Sequence, residues 1–234
     1  MHWLSKWLLV GSLAAWLSYY RHWTSQLVRT NTAGLSRIAT SVANNTDSYQ
    51  FLSRSQQIND SYFEFENIIY AHGLCGDLQV LPTKRPCTPV LHIHLNQIEF
   101  FTLLQGQLAY QLDDKVYSCN IHTCPQPLVV PPLVPHTFWM DDNKQDLIVR
   151  VRVESIKKDS GVRQGFFENL AGLLRDRHLS IWQIFVLFEN AQTYPATLPL
   201  PLVKLMFKIG APIGQLLGYK IEYKEYTTIL EELK

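Results

Sequence analysis

The stretch HIHLNQIEFFTLLQG, residues 92–106, indicates both the fold class of this chain and its chemistry. Side chains alternate between the two faces of a β-strand, so His92 and His94 point the same way. Glu99 follows at an odd spacing, and a turn just after His94 is expected to bring its carboxylate back toward the two histidines. His136 adds a third imidazole from a later run. Three imidazoles and one carboxylate form a mixed nitrogen and oxygen ligand set that suits a transition metal.

This pattern resembles the cupin family. Its two sequence motifs are G-x5-H-x-H-x(3,4)-E-x6-G and G-x5-P-x-G-x2-H-x3-N, and the chain matches them at His92, His94, Glu99, Gly106, Pro131 and His136. The resemblance covers roughly residues 62–153. It implies that His92, His94, Glu99 and His136 hold one divalent transition metal, with iron as the first expectation and Mn, Ni, Cu or Zn as alternatives.

The chain departs from the family pattern at three positions. Pro86 stands where the first motif opens with Gly, Leu133 replaces the Gly of the second motif, and Met140 replaces its Asn. All four ligand positions are kept. The departures therefore affect the expected turn before His136 and the outer pocket, and they leave the ligand set intact.

The centre of the chain has the period of short strands, with close turn signals and no helix between them. The predicted strands cover residues 62–70, 76–81, 90–95, 98–104, 107–112, 115–118, 128–130, 136–140 and 147–153. Such a series indicates an antiparallel sandwich or barrel. Together with the resemblance, it predicts a mainly β fold: an antiparallel jelly-roll cupin barrel with an N-terminal hydrophobic helix and a C-terminal α-helical extension.

The N-terminal segment Trp3–Tyr20 is hydrophobic, with Lys6 as its one charged residue and Trp and Tyr at both ends. Its length is at the lower limit for a membrane span. We expect a single-pass membrane anchor. A cleaved signal peptide, which would give a secreted protein, and an amphipathic helix lying on the membrane surface are the alternatives.

Four regions are predicted: residues 1–23 as the anchor, 24–58 as a polar helix and linker, 59–155 as the barrel and 156–234 as the helical extension. In the extension, apolar residues recur at helical spacing over residues 166–174, 179–190 and 202–217. These helices are expected to pack on the barrel or on a second subunit in a homodimer, or to form a patch on a membrane surface.

The composition limits the partners. The net charge is +1 without basic or acidic blocks, which argues against nucleic acid as a partner. The four cysteines leave alternatives open: in an oxidising compartment Cys119 could pair with Cys124, or Cys75 could pair with Cys87, and otherwise all four could be reduced thiols.

Strand parity also suggests the wall of a substrate pocket. Phe101 shares the face of Glu99, and Phe138 and Met140 share the face of His136, while Tyr110 lies in a strand that could reach the same cavity. These residues are predicted to bind a small, fairly hydrophobic organic molecule, with Glu99 also able to act as a catalytic base.

The expected function is that of a metal-dependent enzyme. Oxidation by dioxygen is the leading reaction, and isomerisation, cyclisation or decarboxylation come next because one fold hosts many chemistries. The alternatives are a barrel that binds a small molecule without turning it over and a structural or assembly protein dominated by its helices.

Overall fold

The computed structural model describes residues 2–41, 46–52, 62–157 and 163–228. The helices are α1 (His2–Ser25), α2 (Gln164–Arg175), α3 (Ile181–Ala191) and α4 (Leu200–Leu216), with one 3-10 turn at Pro82–Lys84. The strands are β1 (Arg37–Ala39), β2 (Asp47–Phe51), β3 (Tyr62–Ile69), β4 (His92–His94), β5 (Gln97–Gln105), β6 (Gln107–Leu112), β7 (Lys115–Asn120), β8 (Leu128–Val130), β9 (His136–Met140), β10 (Leu147–Ser155) and β11 (Thr193–Pro195).

The strands form two antiparallel sheets. One sheet has six strands in the order β1-β2-β3-β10-β5-β8, and the other has five in the order β11-β4-β9-β6-β7. Strands that are distant in the sequence are neighbours in both sheets, which is consistent with a jelly roll. The predicted mainly β cupin fold with N- and C-terminal helices is confirmed.

Strict alternation of side chains places the core between the layers. On β10, Leu147, Val149, Val151 and Val153 are buried, whereas Arg150 and Arg152 lie on the outer face, where they pair with Glu66 and Glu64 of β3. The period of two follows directly from strand geometry. The same alternation on β5 turns Glu99, Phe101 and Leu103 into the barrel.

The C-terminal extension covers the part of the six-stranded sheet nearest to β1. Helix α2 presents Phe167, whose ring centroid lies 4.4 Å from that of Phe65 on β3. Helices α3 and α4 pack on each other, and α3 leads directly into β11 at the edge of the five-stranded sheet. The extension therefore contacts the six-stranded sheet through α2 and adds the strand β11 to the five-stranded sheet.

The described residues between 24 and 52 differ from the predicted polar helix and linker. Helix α1 ends at Ser25, and β1 and β2 then form two strands of the six-stranded sheet. Ile38 and Phe51 are buried in the core, and β2 pairs along β3. Tertiary pairing thus overrides a polar local composition. The predicted boundary at residues 58–59 lies outside the described residues.

Residues 76–81 form no strand, contrary to the prediction. Leu78 and Leu81 are exposed, so the apolar residues that suggested a strand face no core. The segment belongs to a loop closed by the disulfide Cys75–Cys87, and a second disulfide joins Cys119 to Cys124. Of the alternatives that the sequence left open, the structure contains both pairings.

The predicted single-pass anchor over Trp3–Tyr20 is wrong. The segment is helical within α1, but none of the helices in the described parts of the chain has the combination of length and apolar character that crossing a membrane requires. Serines, tryptophans, tyrosines and Lys6 make up half of the predicted span, and these side chains are far less favourable in hydrocarbon than Leu or Ile. The end of α1 instead docks on the end of α4, where the Thr24 hydroxyl donates to the carbonyl of Leu217 at 3.0 Å.

Candidate metal centre

Two strands of one sheet and one strand of the other bring the four predicted ligands together. His92 and His94 come from β4, and His136 from the neighbouring β9, where it pairs directly with His92. Glu99 comes from β5 of the six-stranded sheet and faces them across the barrel. The turn at residues 95–96 therefore moves the chain to the opposite sheet, and this transfer explains the odd spacing between His94 and Glu99.

The ligand atoms converge closely. One atom from each of His92, His94, Glu99 and His136 lies within 4.8 Å of the others. The Nε2 atoms of His92 and His94 are 3.2 Å apart, and the Glu99 carboxylate lies 2.9 Å from His136 Nε2 and 3.3 Å from His94 Nε2. His94, Glu99 and His136 are each less than 5% exposed, with values of 3%, 4% and 2%.

In each of the three imidazoles, the Nδ1 atom, which points away from the cluster, makes a hydrogen bond. His92 Nδ1 donates to the carbonyl of Val90 at 2.8 Å, and His136 Nδ1 donates to the carbonyl of Val134 at 2.9 Å. His94 Nδ1 lies 2.8 Å from the hydroxyl of Thr193 on β11. A nitrogen that donates outward leaves Nε2 as the atom that faces the cluster, so all three rings present the same atom to the centre.

This arrangement fits a cation. Nε2 lone pairs and a carboxylate meet in a buried space, and such a concentration of acceptors is unfavourable unless a proton or metal lies between them. Tetrahedral or five-coordinate metals accept imidazole nitrogen and carboxylate oxygen in this number. The residues present therefore fit the divalent transition metal that the resemblance implies.

The protonation states are close to those of a metal-ready site. Burial, reinforced by His136 and His94, holds the pKa of His92 well below its usual value, so that ring is neutral at pH 7. Burial alone would raise the pKa of Glu99, but the charges and hydrogen bonds of His94 and His136 hold it well below its usual range. Against the lowering effect of burial, the hydrogen bond and charge of Glu99 raise the pKa of His136. Metal binding at this site therefore competes with protonation of His136.

A narrow cleft lies beside His136. Its walls include three of the predicted substrate-binding residues, Phe101, Tyr110 and Phe138, together with Leu108 and Leu128. Its volume is about 10 Å³, which is roughly the room that one water molecule needs. Most of the residues that line it are apolar.

Met140 does not line this cleft, which corrects its predicted place in the pocket wall. It is 1% exposed and belongs to the barrel core, and its carbonyl accepts a 2.7 Å hydrogen bond from the Arg85 guanidinium. The face shared with His136 is the one predicted from parity, but Met140 lies at the far end of β9, where the layers close over it. Parity fixes the face of a strand and does not fix the depth at which a cavity ends.

Two residues near the centre were missed from the sequence. Thr193 lies 57 residues after His136 in a Pro-punctuated segment, and no local signal ties it to the cluster. Gln97 lies just before the predicted strand 98–104 and shares the parity of Glu99; it is 1% exposed, and neither of its side-chain polar atoms has a hydrogen-bond partner among the described residues. Strand parity read from Glu99 would have found Gln97.

The chain is similar to known fungal proteins over part of its length. No protein-family model matches the chain. The chain is 31% identical over 152 residues to the "Probable oxidoreductase virH" of Hypocrea virens, covering 59% of this chain and 67% of that protein. It is 28% identical over 184 residues to the "Probable oxidoreductase yanE" of Aspergillus niger, covering 72% of this chain and 69% of that protein.

A solved structure of the Schizosaccharomyces pombe Cnp3 cupin domain also aligns, with 11% identity, a TM-score of 0.33, and coverage of 46% of this chain and 64% of that one. Two antiparallel sheets, with the motif residues meeting between them, define the fold of this chain. The chain has a cupin fold and belongs to the family of the fungal probable oxidoreductase virH.

Proposed function

We propose that the chain is a metal-dependent oxidoreductase that uses dioxygen to oxidise a small, fairly hydrophobic organic molecule. One observation carries the proposal: the ligand atoms of His92, His94, Glu99 and His136 lie within 4.8 Å of one another in a buried space. Iron is the first candidate metal, and Mn, Ni, Cu and Zn suit the same ligand types.

The four ligands would leave coordination positions free. A metal bound there supplies a Lewis acid and a site where a substrate oxygen and dioxygen can meet. Neutral imidazoles and one carboxylate would keep a net positive charge on a divalent ion, which favours anionic or chelating oxygen groups. The outward hydrogen bonds of the imidazoles keep the rings in place while such a group binds.

Glu99 is proposed first as a ligand. Both of its oxygens are engaged, one with His94 and one with His136. A role as a catalytic base would require one oxygen to leave the cluster, and its low pKa favours the ionised ligand form. Because Glu99→Gln removes both the charge and the basicity of the side chain, the metal content of this variant separates the two roles: loss of the metal indicates a ligand, and full metal content without activity indicates a base.

The apolar cleft supports a substrate with little polar surface. Phe101 and Phe138 face each other with ring centroids 5.4 Å apart, and Tyr110 pairs with Phe138 across β6 and β9. Since the cleft holds about one water in volume, a substrate enters only when the Phe138 and Tyr110 side chains move. Burial of apolar area contributes roughly 25 cal/mol per Å² to such binding, so aromatic or terpenoid-like compounds are favoured over sugars and small dicarboxylates.

Dioxygen chemistry is preferred over isomerisation, cyclisation and decarboxylation because the relatives carry the name oxidoreductase. The test is dioxygen uptake by the purified full chain, loaded anaerobically with Fe²⁺ and supplied with a panel of aromatic, terpenoid-like and polar compounds. Uptake that depends on both metal and an apolar compound, and that is lost in Glu99→Gln, is expected. A His122→Ala variant, which changes a histidine in a surface turn, serves as the matched control and should keep the activity.

The same experiment separates the alternative. A protein that binds metal and apolar compounds without consuming dioxygen or changing any compound in the panel would be a binding module. That outcome would contradict the proposed oxidation, whereas the proposed metal centre would still hold.

A further inference from the structure

We propose that Thr193, which the C-terminal extension carries, is a positioning residue of the metal centre. It fixes the ring of His94 so that Nε2 faces the cluster. The inference rests on the proposed metal-dependent function and adds a residue that lies outside both motifs. It makes the extension a required part of the site.

Strand β11 holds Thr193 firmly beside His94. The two residues are direct partners in the antiparallel pairing of β11 with β4, and Tyr194 pairs with Ile93 in the same register. Backbone hydrogen bonds close both ends of the pairing, from Leu95 to the carbonyl of Gln192 at 3.1 Å and from Ala196 to the carbonyl of Leu91 at 2.8 Å. A one-residue slip would turn Thr193 to the other face of the sheet, so this register determines the contact.

The direction of the hydrogen bond follows from its neighbours. The Thr193 hydroxyl can donate to the carbonyl of Ala191, 3.4 Å away, and it then offers a lone pair to His94 Nδ1 at 2.8 Å. His94 Nδ1 therefore carries the hydrogen, and Nε2 keeps the lone pair that a metal needs. Thr193 is 2% exposed, so water cannot readily take its place.

His94 differs from the other two imidazoles in this dependence. His92 and His136 each donate to a backbone carbonyl two residues upstream, at Val90 and Val134. Those acceptors cannot be removed by a side-chain substitution. His94 relies on a side chain that is 99 residues away in the sequence. Without that hydroxyl, the ring can adopt the other tautomer, which points an N–H at the cluster and cannot bind a metal.

The experiment measures Co²⁺ and Zn²⁺ affinity of the full chain by competition with a chromophoric chelator. Thr193→Val keeps the shape of the side chain and removes the acceptor, and Thr193→Ser keeps the acceptor. Outer partners of ligating histidines typically contribute 10–100-fold to metal affinity. We therefore expect Thr193→Val to bind about 10–100-fold more weakly, with an altered Co²⁺ absorption spectrum, and Thr193→Ser to remain within about threefold of wild type.

Thr227→Val is the matched control. Thr227 is also a buried threonine of the extension, and its hydroxyl hydrogen-bonds to Glu168 away from the metal centre. This variant should lose thermal stability and keep the affinity for metal. If Thr193→Val does not fold, Thr193→Ala removes the same acceptor with less bulk and carries the same expectation.

Two results would overturn the inference: wild-type affinity in the variants that lack the hydroxyl, or an equal loss in Thr227→Val. Failure of the proposed function looks different, because then the wild-type chain itself would not bind either metal.

Discussion

The six-stranded sheet ends in β1 and β2, from the segment after α1, whereas the five-stranded sheet ends in β11, from the C-terminal extension. Both additions lie outside the motif-bearing region. On the six-stranded sheet, β3 and β10 separate β2 from the strand of Glu99, a distance of roughly 14 Å at about 4.8 Å per strand. On the five-stranded sheet, β11 lies directly beside β4 and contacts His94.

This difference separates the two additions by role. The N-terminal strands extend the sheet and enlarge its core, so we expect them to contribute to stability. The C-terminal strand borders a ligand-bearing strand, so we expect it to contribute to stability and to metal affinity together. Sheet position, and not distance along the chain, decides which addition reaches the site.

The largest effect on stability is expected from Phe51→Ala on β2. Phe51 is buried in the core with its ring near that of Phe65. Removing it should lower the free energy of unfolding by about 3–5 kcal/mol, through lost burial and a cavity. Because β2 lies far from the cluster, the metal content of the folded fraction should stay at the wild-type level.

Chemical denaturation measures the free energy of unfolding of Phe51→Ala, and metal analysis of the refolded protein measures its metal content. The control is Val116→Ala on the exposed face of β7, which should change neither the free energy of unfolding nor the metal content. A loss of metal from folded Phe51→Ala would mean that the N-terminal strands β1 and β2 also affect the metal centre, which would contradict the distinction between them and β11.

A medium effect is expected from Gly214→Ala on α4. A Cβ at Gly214 would lie 2.7 Å from Val186 Cγ2 and 2.8 Å from the carbonyl oxygen of Trp182, both on α3. Overpacking of this kind costs about 1–3 kcal/mol. Since α3 leads directly into β11, the variant should also bind Co²⁺ more weakly than wild type, by more than about threefold.

The exposed residue Ile209, on the opposite face of α4, provides the control for Gly214→Ala. Ile209→Ala should keep both stability and affinity. If Gly214→Ala is clearly destabilised but keeps its Co²⁺ affinity, the packing of α3 and α4 does not affect the position of β11, and the prediction is wrong.

The smallest effect is expected from Leu133→Gly. Leu133 replaces the glycine of the second motif, and it has the left-handed backbone conformation that glycine favours, with φ of 66°. Its amide donates to the carbonyl of His94 at 2.8 Å, and its side chain is 56% exposed. Relief of the left-handed strain, about 1–2 kcal/mol, is partly offset by the greater backbone entropy of glycine.

The net gain in stability for Leu133→Gly should therefore be below about 1 kcal/mol, measured by denaturation, with wild-type affinity for metal. A loss of stability would mean that the exposed side chain contributes packing that outweighs the strain.

Gly106 also has a positive φ, of 90°, but there glycine is present. A Cβ at this position would lie 2.9 Å from the carbonyl oxygen of Asp146, so a larger residue would clash with the backbone.

The sequence predicts those parts of the molecule that depend on local periodicity or on a spaced motif. The strands β6, β8 and β9 have their predicted bounds, since alternation and turn residues specify them. The four ligand candidates converge, because strand parity places His92 and His94 on one face and the two motifs define the other two ligands. Phe101, Tyr110 and Phe138 line one cleft for the same reason.

The parts that the sequence does not reveal depend on tertiary partners. Strands β1, β2 and β11 are short. Pairing of β1 with β2, of β2 with β3 and of β11 with β4 stabilises them more than their own propensity does. Met140 has the predicted face but lies in closed core. The aromatic residues at both ends of Trp3–Tyr20 suggested a membrane span, but the polar residues within the segment make it too weakly apolar to cross a membrane.

The metal content of the full chain tests the central claim most directly. Wild-type protein from metal-replete medium should carry about one transition metal per chain, because four converging acceptors, three of them on buried residues, favour a bound cation. His94→Ala should lose most of that metal while remaining folded, and His122→Ala, which changes a histidine outside the cluster, should keep it. A metal-free wild-type chain, or a His94→Ala chain with full metal content, would contradict the account.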